Sequence, residues 1–430
     1  MAAAKSWVFL ALTLSIYGSF VAGTNHITIN KSAFDGSYYE VFDSTETAAL
    51  STTPQMVAVS GCKFIIVYIE GSGSTYTLHR RRVSCDLKTD DASKQLESAA
   101  SPTYAVGVTT NGEVYGMLYF VGSELYYCSY SYLNDAAQGS AIQITPTDDG
   151  TLTYENPILV GINKTHFVAA WNTYDGTHAG QIYYNLISTT GTLGYSAPEQ
   201  VSEEMYEYYM SNPRVAVLTN GSFIFFWQAT STTNWQMRAK VYTSKWVQQK
   251  NSYILYSTTF TAGTVSAQSI CGAIGISDAG YVATFAYTES GETNTHFQIA
   301  RVSHAEEVSL ILNSIEKNTY GLPFKYYNLF GLAWTSVYTN DTMGIIANIF
   351  AATGEAEDDQ RTLAWNAGLN ALVVGTNNHI YALFSEYEDA HASASAIYFG
   401  QVYNQTLMGE NLRRVVISVI GFIILTIFVF

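Results

Sequence analysis

One pattern recurs seven times along the chain: an apolar run, a short polar turn and a second apolar run. It is clearest in NPILVGINKTHFVAAW, from Asn156, and in NPRVAVLTNGSFIFFW, from Asn212. Two apolar runs around a turn of this kind are typical of a β-hairpin. The copies begin at Pro54, Pro102, Asn156, Asn212, Cys271, Phe330 and Leu369, about 50 to 60 residues apart except at the last step.

Each hairpin is followed by a polar connection and a third strand, such as TYTLHRRRVS, GQIYYNLIS or SAIYFGQVY. A weaker fourth strand usually comes next, and TLAWNAG is assigned as a shortened third strand in the sixth unit. Four strands per repeat, with no helical stretch between them, are typical of a β-propeller blade. A single blade cannot bury both of its faces. Packing blades around a ring buries them, which explains why the unit recurs.

We therefore predict an all-β fold, a β-propeller that most simply has seven four-stranded blades. The last unit has three clear strands, and the strand-like segment NHITINKSAFDGSYYEVF precedes the first unit. That N-terminal segment could supply the missing strand and close the ring, which would remove free sheet edges. The sixth and seventh units are irregular, so six or eight blades remain open. A pair of β-sandwiches is the alternative architecture.

Both ends of the chain carry targeting signals. Residues 1–23 form a predicted signal peptide, because Lys5 precedes the apolar run WVFLALTLSIYGSFVA and small residues follow it. Residues 24–404 are then the ectodomain. Residues 405–430 end in VVISVIGFIILTIFVF, which we interpret as a GPI-anchor signal or as a single membrane helix. The predicted location is the extracellular face of the plasma membrane.

The chain carries further marks of export. Five Asn-x-Ser/Thr sequons are predicted glycosylation sites, at Asn30, Asn163, Asn220, Asn340 and Asn404. We expect Asn163, Asn220 and Asn340 to occupy the same turn in three units, so that sugars cover one rim; alternatively, Asn is there because tight turns favour it. Antiparallel register predicts a Cys62–Cys85 disulfide, and no pairing is predicted for Cys128 or Cys271.

The repeat resembles a divergent extracellular propeller repeat of the form Pro-x-Val-Ala-x-Leu-x-x-Gly-x-Phe-x-Val-x-Trp. Such repeats occur in large surface and adhesin-like proteins. The resemblance covers most of residues 50–404 and is best in the units at Asn156 and Asn212. It implies a fold and a location, and it implies no chemistry.

Two sets of loops are expected on one face of the ring: those leading into each first strand and those joining the second strand to the third. They are rich in tyrosines and acids, which suit a glycan, because rings stack on sugars and carboxylates accept hydroxyl hydrogens. The same residues suit a basic protein partner. The simpler alternative is that tyrosines fill gaps between loops. The predicted ligand-binding residues are Tyr154, Glu155, Asp175, Tyr208, Tyr209, Glu289, Tyr326, Tyr327, Glu386 and Asp389.

No recognised catalytic motif was found, and no metal or cofactor is predicted. The sequence lacks a Gly-x-Ser-x-Gly elbow, a His-Glu-x-x-His helix and an Asp-rich calcium loop. Arg80–Arg82 lie on one strand with alternating faces, so they cannot converge as a sialidase triad would. The net charge of −15 argues against nucleic acid. We predict an anchored surface module that binds a glycan or protein in adhesion or recognition. The alternatives are a glycosidase or lyase using two carboxylates, or a structural coat glycoprotein.

Overall fold

The structure is a computed structural model that describes residues 38–73, 75–146, 152–175, 180–203, 207–249, 251–259, 269–276, 280–287, 295–303, 308–316, 321–326, 329–337, 343–350, 361–365, 367–375, 379–386 and 396–403. The described strands form seven sheets of four strands each. The chain is thus an all-β propeller of seven blades, and the predicted fold is confirmed.

The first four blades follow one another along the chain with strands in simple antiparallel order. Blade 1 consists of β2 (Gln55–Val59), β3 (Lys63–Ser72), β4 (Thr75–Ser84) and β5 (Thr89–Ala99). Blade 2 consists of β6 (Tyr104–Val108), β7 (Val114–Val121), β8 (Glu124–Ser131) and β9 (Ile142–Gln143). Blade 3 consists of β10 (Thr153–Gly161), β11 (His166–Tyr174), β12 (Ile182–Ser188) and β13 (Glu199–Gln200). Blade 4 consists of β14 (Tyr209–Val217), β15 (Phe223–Thr230), β16 (Asn234–Tyr242) and β17 (Tyr253–Thr259).

The remaining three blades complete the ring. Blade 5 consists of β18 (Ser269–Ile276), β19 (Gly280–Tyr287), β20 (Thr295–Val302) and β21 (Val308–Glu316). Blade 6 consists of β22 (Gly321–Tyr326), β23 (Leu329–Val337), β24 (Met343–Phe350) and β25 (Arg361–Trp365). Blade 7 takes β26 (Ala367–Val374), β27 (Ile380–Glu386) and β28 (Ala396–Tyr403) from the C-terminal part and β1 (Tyr38–Phe42) from the N-terminal part. A short helix, α1 (Ser44–Ala49), follows β1.

The N-terminal strand closes the ring, as the sequence predicted. β1 pairs antiparallel with β28, so that Tyr38 lies opposite Gly400 and Tyr39 opposite Phe399. The first strands of neighbouring blades contact one another in an unbroken cycle from β2 through β26 and back to β2. These strands approach closely: a Cβ atom on Gly161 would clash with the carbonyl oxygen of Val108, which explains a glycine at this point.

The hydrophobic core lies between the blades. In β15, Phe225 and Trp227 pack towards blade 3, in a cluster with Val168 and Ala170. The alternate residue Phe226 packs towards blade 5, in a cluster with Phe285. A central strand is therefore buried on both faces, which is why its sequence is a continuous apolar run with little alternation.

The connections divide between two faces of the ring. We call "upper face" the side that carries the connections into each first strand and those from second to third strand. We call "lower face" the side that carries the turns from first to second and from third to fourth strand. Asn163 and Asn220 lie in lower-face turns of blades 3 and 4, where each Oδ1 accepts a backbone N–H two residues on.

In the sixth unit, the predicted strands are displaced by one strand from those in the structure. The hairpin that begins at Phe330 is formed by the second and third strands, and TLAW belongs to the fourth strand, not the third. The first strand, GLPFKY, contains Pro323 and Lys325 and lacks a long apolar run, so it resembled a loop. Asn340 lies outside the described residues, in the segment of the chain between β23 and β24. Asn30 and Asn404 also lie outside them.

Two of the four cysteines form a disulfide, and the other two are buried thiols. A disulfide joins Cys62, after β2, to Cys85, after β4, with Cα atoms 5.5 Å apart, which is the pairing that the sequence suggested. Cys128 and Cys271 are buried thiols. Burial raises the pKa of Cys271 to about 11, so the thiol stays protonated at neutral pH.

The two targeting segments, 1–23 and 405–430, lie outside the described residues. Within the described ranges, α1 has six residues, and no helix there has the length and apolar character needed to cross a bilayer.

Candidate functional site

A cleft opens on the upper face between blades 2 and 3. Its volume is about 520 Å³. Leu152 is 37% exposed within it, and Val121, beside two of the lining residues, is 41% exposed. The lining residues come from three connections, the end of β7 and the start of β10: Ser101, Thr103, Phe120, Gly122, Ser123, Leu152, Thr153, Tyr154, Glu155 and Asn156. The cleft therefore combines small polar groups with exposed aliphatic carbon.

A hydrogen-bonded cluster lies beside the cleft, where blade 3 meets blade 4. We call Glu155, Asn156, Asn172 and Tyr209 the Glu155 cluster. The Tyr209 hydroxyl donates to Glu155 Oε2 at 2.7 Å, and Asn172 Nδ2 lies 3.1 Å from the same oxygen. Asn156 Nδ2 donates to Asn172 Oδ1 at 2.8 Å. Asn172 is fully buried whereas Glu155 is half-buried, so a buried amide holds a carboxylate near the surface.

A β-bulge places Glu155 in this position. The pairing of β10 with β11 shifts between Glu155 and Ile158, and Asn156 in the bulge has a φ of +47°. Blade 4 has the same kind of bulge: the pairing of β14 with β15 shifts between Ser211 and Arg214, and Asn212 has a φ of +55°. Asparagine tolerates this left-handed conformation better than most residues. The recurring Asn-Pro pair in the sequence is therefore the signal of the bulge.

The ring of Tyr209 is positioned by its neighbours. A Cβ on Gly180 would come within 2.6 Å of the Tyr209 ring and within 2.6 Å of the Met210 carbonyl oxygen, so a glycine is required there. The Tyr174 ring meets Tyr209 edge-on, at 5.6 Å between centroids, and is 37% exposed. Burial is the larger cause of a raised pKa for Tyr209, and the hydrogen bond to Glu155 is the second cause. The hydroxyl therefore remains a donor at neutral pH.

The structure brings Glu155 and Tyr209 of the predicted set into contact and gives other members different surroundings. Tyr154 is buried, and its hydroxyl donates to the Pro146 carbonyl oxygen at 3.3 Å, so it helps to hold the fold. The hydroxyl of half-buried Tyr208 accepts a hydrogen bond from Gln236 Nε2 at 3.2 Å. Asp175 is exposed on the upper face, directly after β11.

The remaining predicted residues fall in blades 5 to 7. Tyr326 ends β22 and pairs with Leu329, which puts it at a lower-face turn and corrects its expected place on the upper face. The reason is the shifted strand assignment in blade 6. Glu386 ends β27 at the upper face. Glu289, Tyr327 and Asp389 lie outside the described residues.

Two site residues escaped the sequence analysis. Asn172 directly follows the apolar residues of a second strand, where it looked like the end of a hairpin run, and Asn156 looked like part of a turn signal. The register of β10 with β11 places Asn172 opposite Glu155, and Asn156 follows Glu155 in the bulge. Over the part of the chain that the structure describes, no group of three or more His, Cys, Asp or Glu side chains is arranged to hold a metal ion.

Tyr209→Phe is expected to lower the free energy of unfolding by about 1–2 kcal/mol, because Glu155 loses a charge-assisted donor while the ring remains. Chemical denaturation of the full chain measures this. Tyr174→Phe is the matched control, since it removes a hydroxyl from a ring that is 37% exposed, and we expect a change within about 0.5 kcal/mol. Equal effects of the two substitutions would contradict the role of the hydroxyl.

Comparisons with known proteins support the fold and assign no family. No protein-family model and no curated protein matches the sequence. Among solved structures, the polysaccharide lyase Uly1 is 9% identical, with a TM-score of 0.54 over 83% of this chain and 91% of the lyase. The acylaminoacyl peptidase of Pyrococcus horikoshii is 11% identical, with a TM-score of 0.48 over 86% of this chain and 55% of the peptidase. The alpha-L-arabinanase of Penicillium chrysogenum is 9% identical, with a TM-score of 0.44 over 85% of this chain and 98% of the arabinanase. The likeness to the lyase supports the fold alone, and one fold can host many functions.

Proposed function

We propose that the protein is a cell-surface binding module that holds a glycan or protein ligand on its upper face, in adhesion or recognition. The main support is the Glu155 cluster, a half-buried carboxylate fixed by Tyr209 and Asn172 beside the exposed ring of Tyr174. A carboxylate held in one orientation, next to a flat aromatic surface, loses little side-chain freedom when a ligand binds. The adjoining cleft offers further contacts.

Binding is favoured over hydrolysis or elimination by the composition of the cluster. The two-carboxylate mechanism requires a second acid roughly 5 to 10 Å from the first. Glu155 is the one acid in the cluster, and its Oε2 already accepts two hydrogen bonds. Such an arrangement suits a carboxylate that accepts hydrogen bonds in one fixed orientation. It is less suited to a carboxylate that exchanges protons with a substrate.

The surface location rests on the two targeting signals, the sequons and the disulfide. A Cys62–Cys85 bond is compatible with an oxidising compartment. The resemblance of the repeats to those of adhesin-like surface proteins agrees with this location. Accordingly, the upper-face loops present their side chains on a rigid ring, which is where ligand contacts are common.

A glycan array probed with the full chain in detergent tests the proposal. We expect selective binding that Glu155→Gln and Tyr174→Ala both weaken at least about tenfold, the usual cost of losing a contact with a well-placed polar or aromatic group. Glu113→Gln, an exposed lower-face change, is the control. A protein ligand would instead be sought among neighbouring cell-surface proteins with the same three variants. Ligand binding that ignores Glu155→Gln and Tyr174→Ala would refute the site.

A further inference from the structure

Charge is divided between the two faces of the ring. The upper-face connections and the strand ends beside them carry acids, among them Asp43, Glu70, Glu124, Glu155, Asp175 and Glu207. Glu46 and Glu203 also lie there, and they pair with Arg81 and Arg238. Neither lysine nor arginine occurs in the described parts of these connections or in the three strand residues next to each. The described lower-face turns and the strand residues beside them hold Lys63, Lys88, Lys164 and Lys245, with the exposed acids Asp86 and Glu113.

Exposed apolar side chains lie among the upper-face acids. Leu152 is 37% exposed in the cleft, Val121 is 41% exposed beside it, and Tyr174 is 37% exposed at the Glu155 cluster. All three belong to blades 2 and 3. Exposed apolar side chains with polar residues around them are common in protein-binding patches.

We infer that the ligand of the upper face is a basic protein segment that inserts an apolar side chain into the cleft. This inference rests on the proposed binding function and specifies its ligand. Acids on the upper face attract lysine and arginine over roughly 8 Å at physiological salt, and such complementarity raises association rates about tenfold or more. The same field repels glycans that carry carboxylates or sulfates. Leu152 in the cleft, with Val121 beside it, supplies exposed apolar area that the inserted side chain buries.

A short fluorescein-labelled peptide of alternating lysine and leucine tests this by fluorescence anisotropy on the full chain in detergent. We expect it to bind, and its glutamate–leucine counterpart to fail. Asp175→Asn with Glu207→Gln should weaken binding about three- to tenfold, as expected for two exposed ion pairs. Asp86→Asn with Glu113→Gln is the matched lower-face control, with the same change in net charge, and should have no effect. Leu152→Ser should weaken binding at unchanged charge.

Each contrary result has a defined meaning. Equal weakening by the two charge pairs, or no loss with Leu152→Ser, overturns the inference, because the peptide would then sense only net charge. If the peptide fails to bind while a glycan binds and responds to Glu155→Gln, the proposed binding function stands and the basic partner is refuted. If peptide and glycan binding both ignore every upper-face substitution, both proposals fall.

Discussion

Phe42→Ala is expected to lower the free energy of unfolding by about 3–5 kcal/mol, the usual cost of removing a buried aromatic ring. Phe42 is 1% exposed at the end of β1, the strand that closes the ring. Its ring lies 4.8 Å from that of Tyr68 in blade 1, and the Arg81 guanidinium lies 4.7 Å from its centroid. One side chain thus joins blade 7 to blade 1, so its loss weakens closure itself.

Chemical denaturation of the full chain measures the Phe42 effect. Glu40→Ala is the matched control, since Glu40 is an exposed residue of the same strand, and a change within about 0.5 kcal/mol is expected. A Phe42→Ala variant as stable as the control would show that β1 contributes little to the closed ring.

The second large effect is expected at Asp135, a carboxylate 8% exposed between blades 1 and 2. Its Oδ2 forms ion pairs with Arg80 and, at 3.3 Å, with Arg82, while Oδ1 accepts the Tyr115 hydroxyl at 2.9 Å. Asp135→Asn should cost about 3–5 kcal/mol, because two buried guanidinium groups lose the negative charge that faces them. The φ of Asp135 is +51°, a conformation that Asn accepts, so the substitution changes the charge and keeps the backbone.

Asp86→Asn provides the comparison for Asp135, since Asp86 pairs with Lys88 at 3.6 Å on the exposed surface. Exposed pairs of this kind contribute little to stability, because water screens the two charges. Unfolding midpoints for Asp135→Asn and Asp86→Asn that lie close together would show that the buried charge is compensated from elsewhere. Arg81 lies on the other face of β4 and pairs with Glu46, so the three neighbouring arginines do not converge.

Most of the fold could be predicted from the sequence, because each blade buries two apolar strands around a polar turn. Phe225 and Phe226 show this, since the neighbouring residues pack on opposite faces of β15 and both are buried. Prediction failed where a strand lacked that signal. GLPFKY forms β22 through its pairing with β23, although Pro323 and Lys325 disfavour a strand locally.

The site was predictable only in part. The loops containing Glu155 and Tyr209 were identified from their composition and order along the chain. Their contact depends on the bulge at Asn156 and on the packing of blade 3 against blade 4, which a single sequence does not specify. Tyr154 and Tyr208 belong to the same loops, yet each has its hydroxyl bonded within the fold. Composition alone does not separate a tyrosine whose ring is buried from one whose ring is exposed.

The position of β28 determines how the ring bears mechanical load. β28 lies between β27 and β1, so it is an interior strand of blade 7 although it comes last in the described part of the chain. A pull on its C-terminal end, directed along the strand, strains the hydrogen bonds to both neighbours at once. Sheared bonds resist together, whereas bonds at a peeled edge break one after another. If the chain is held at its C-terminal end, this arrangement adds tensile strength, because the last described strand is hydrogen-bonded to a neighbour on both sides.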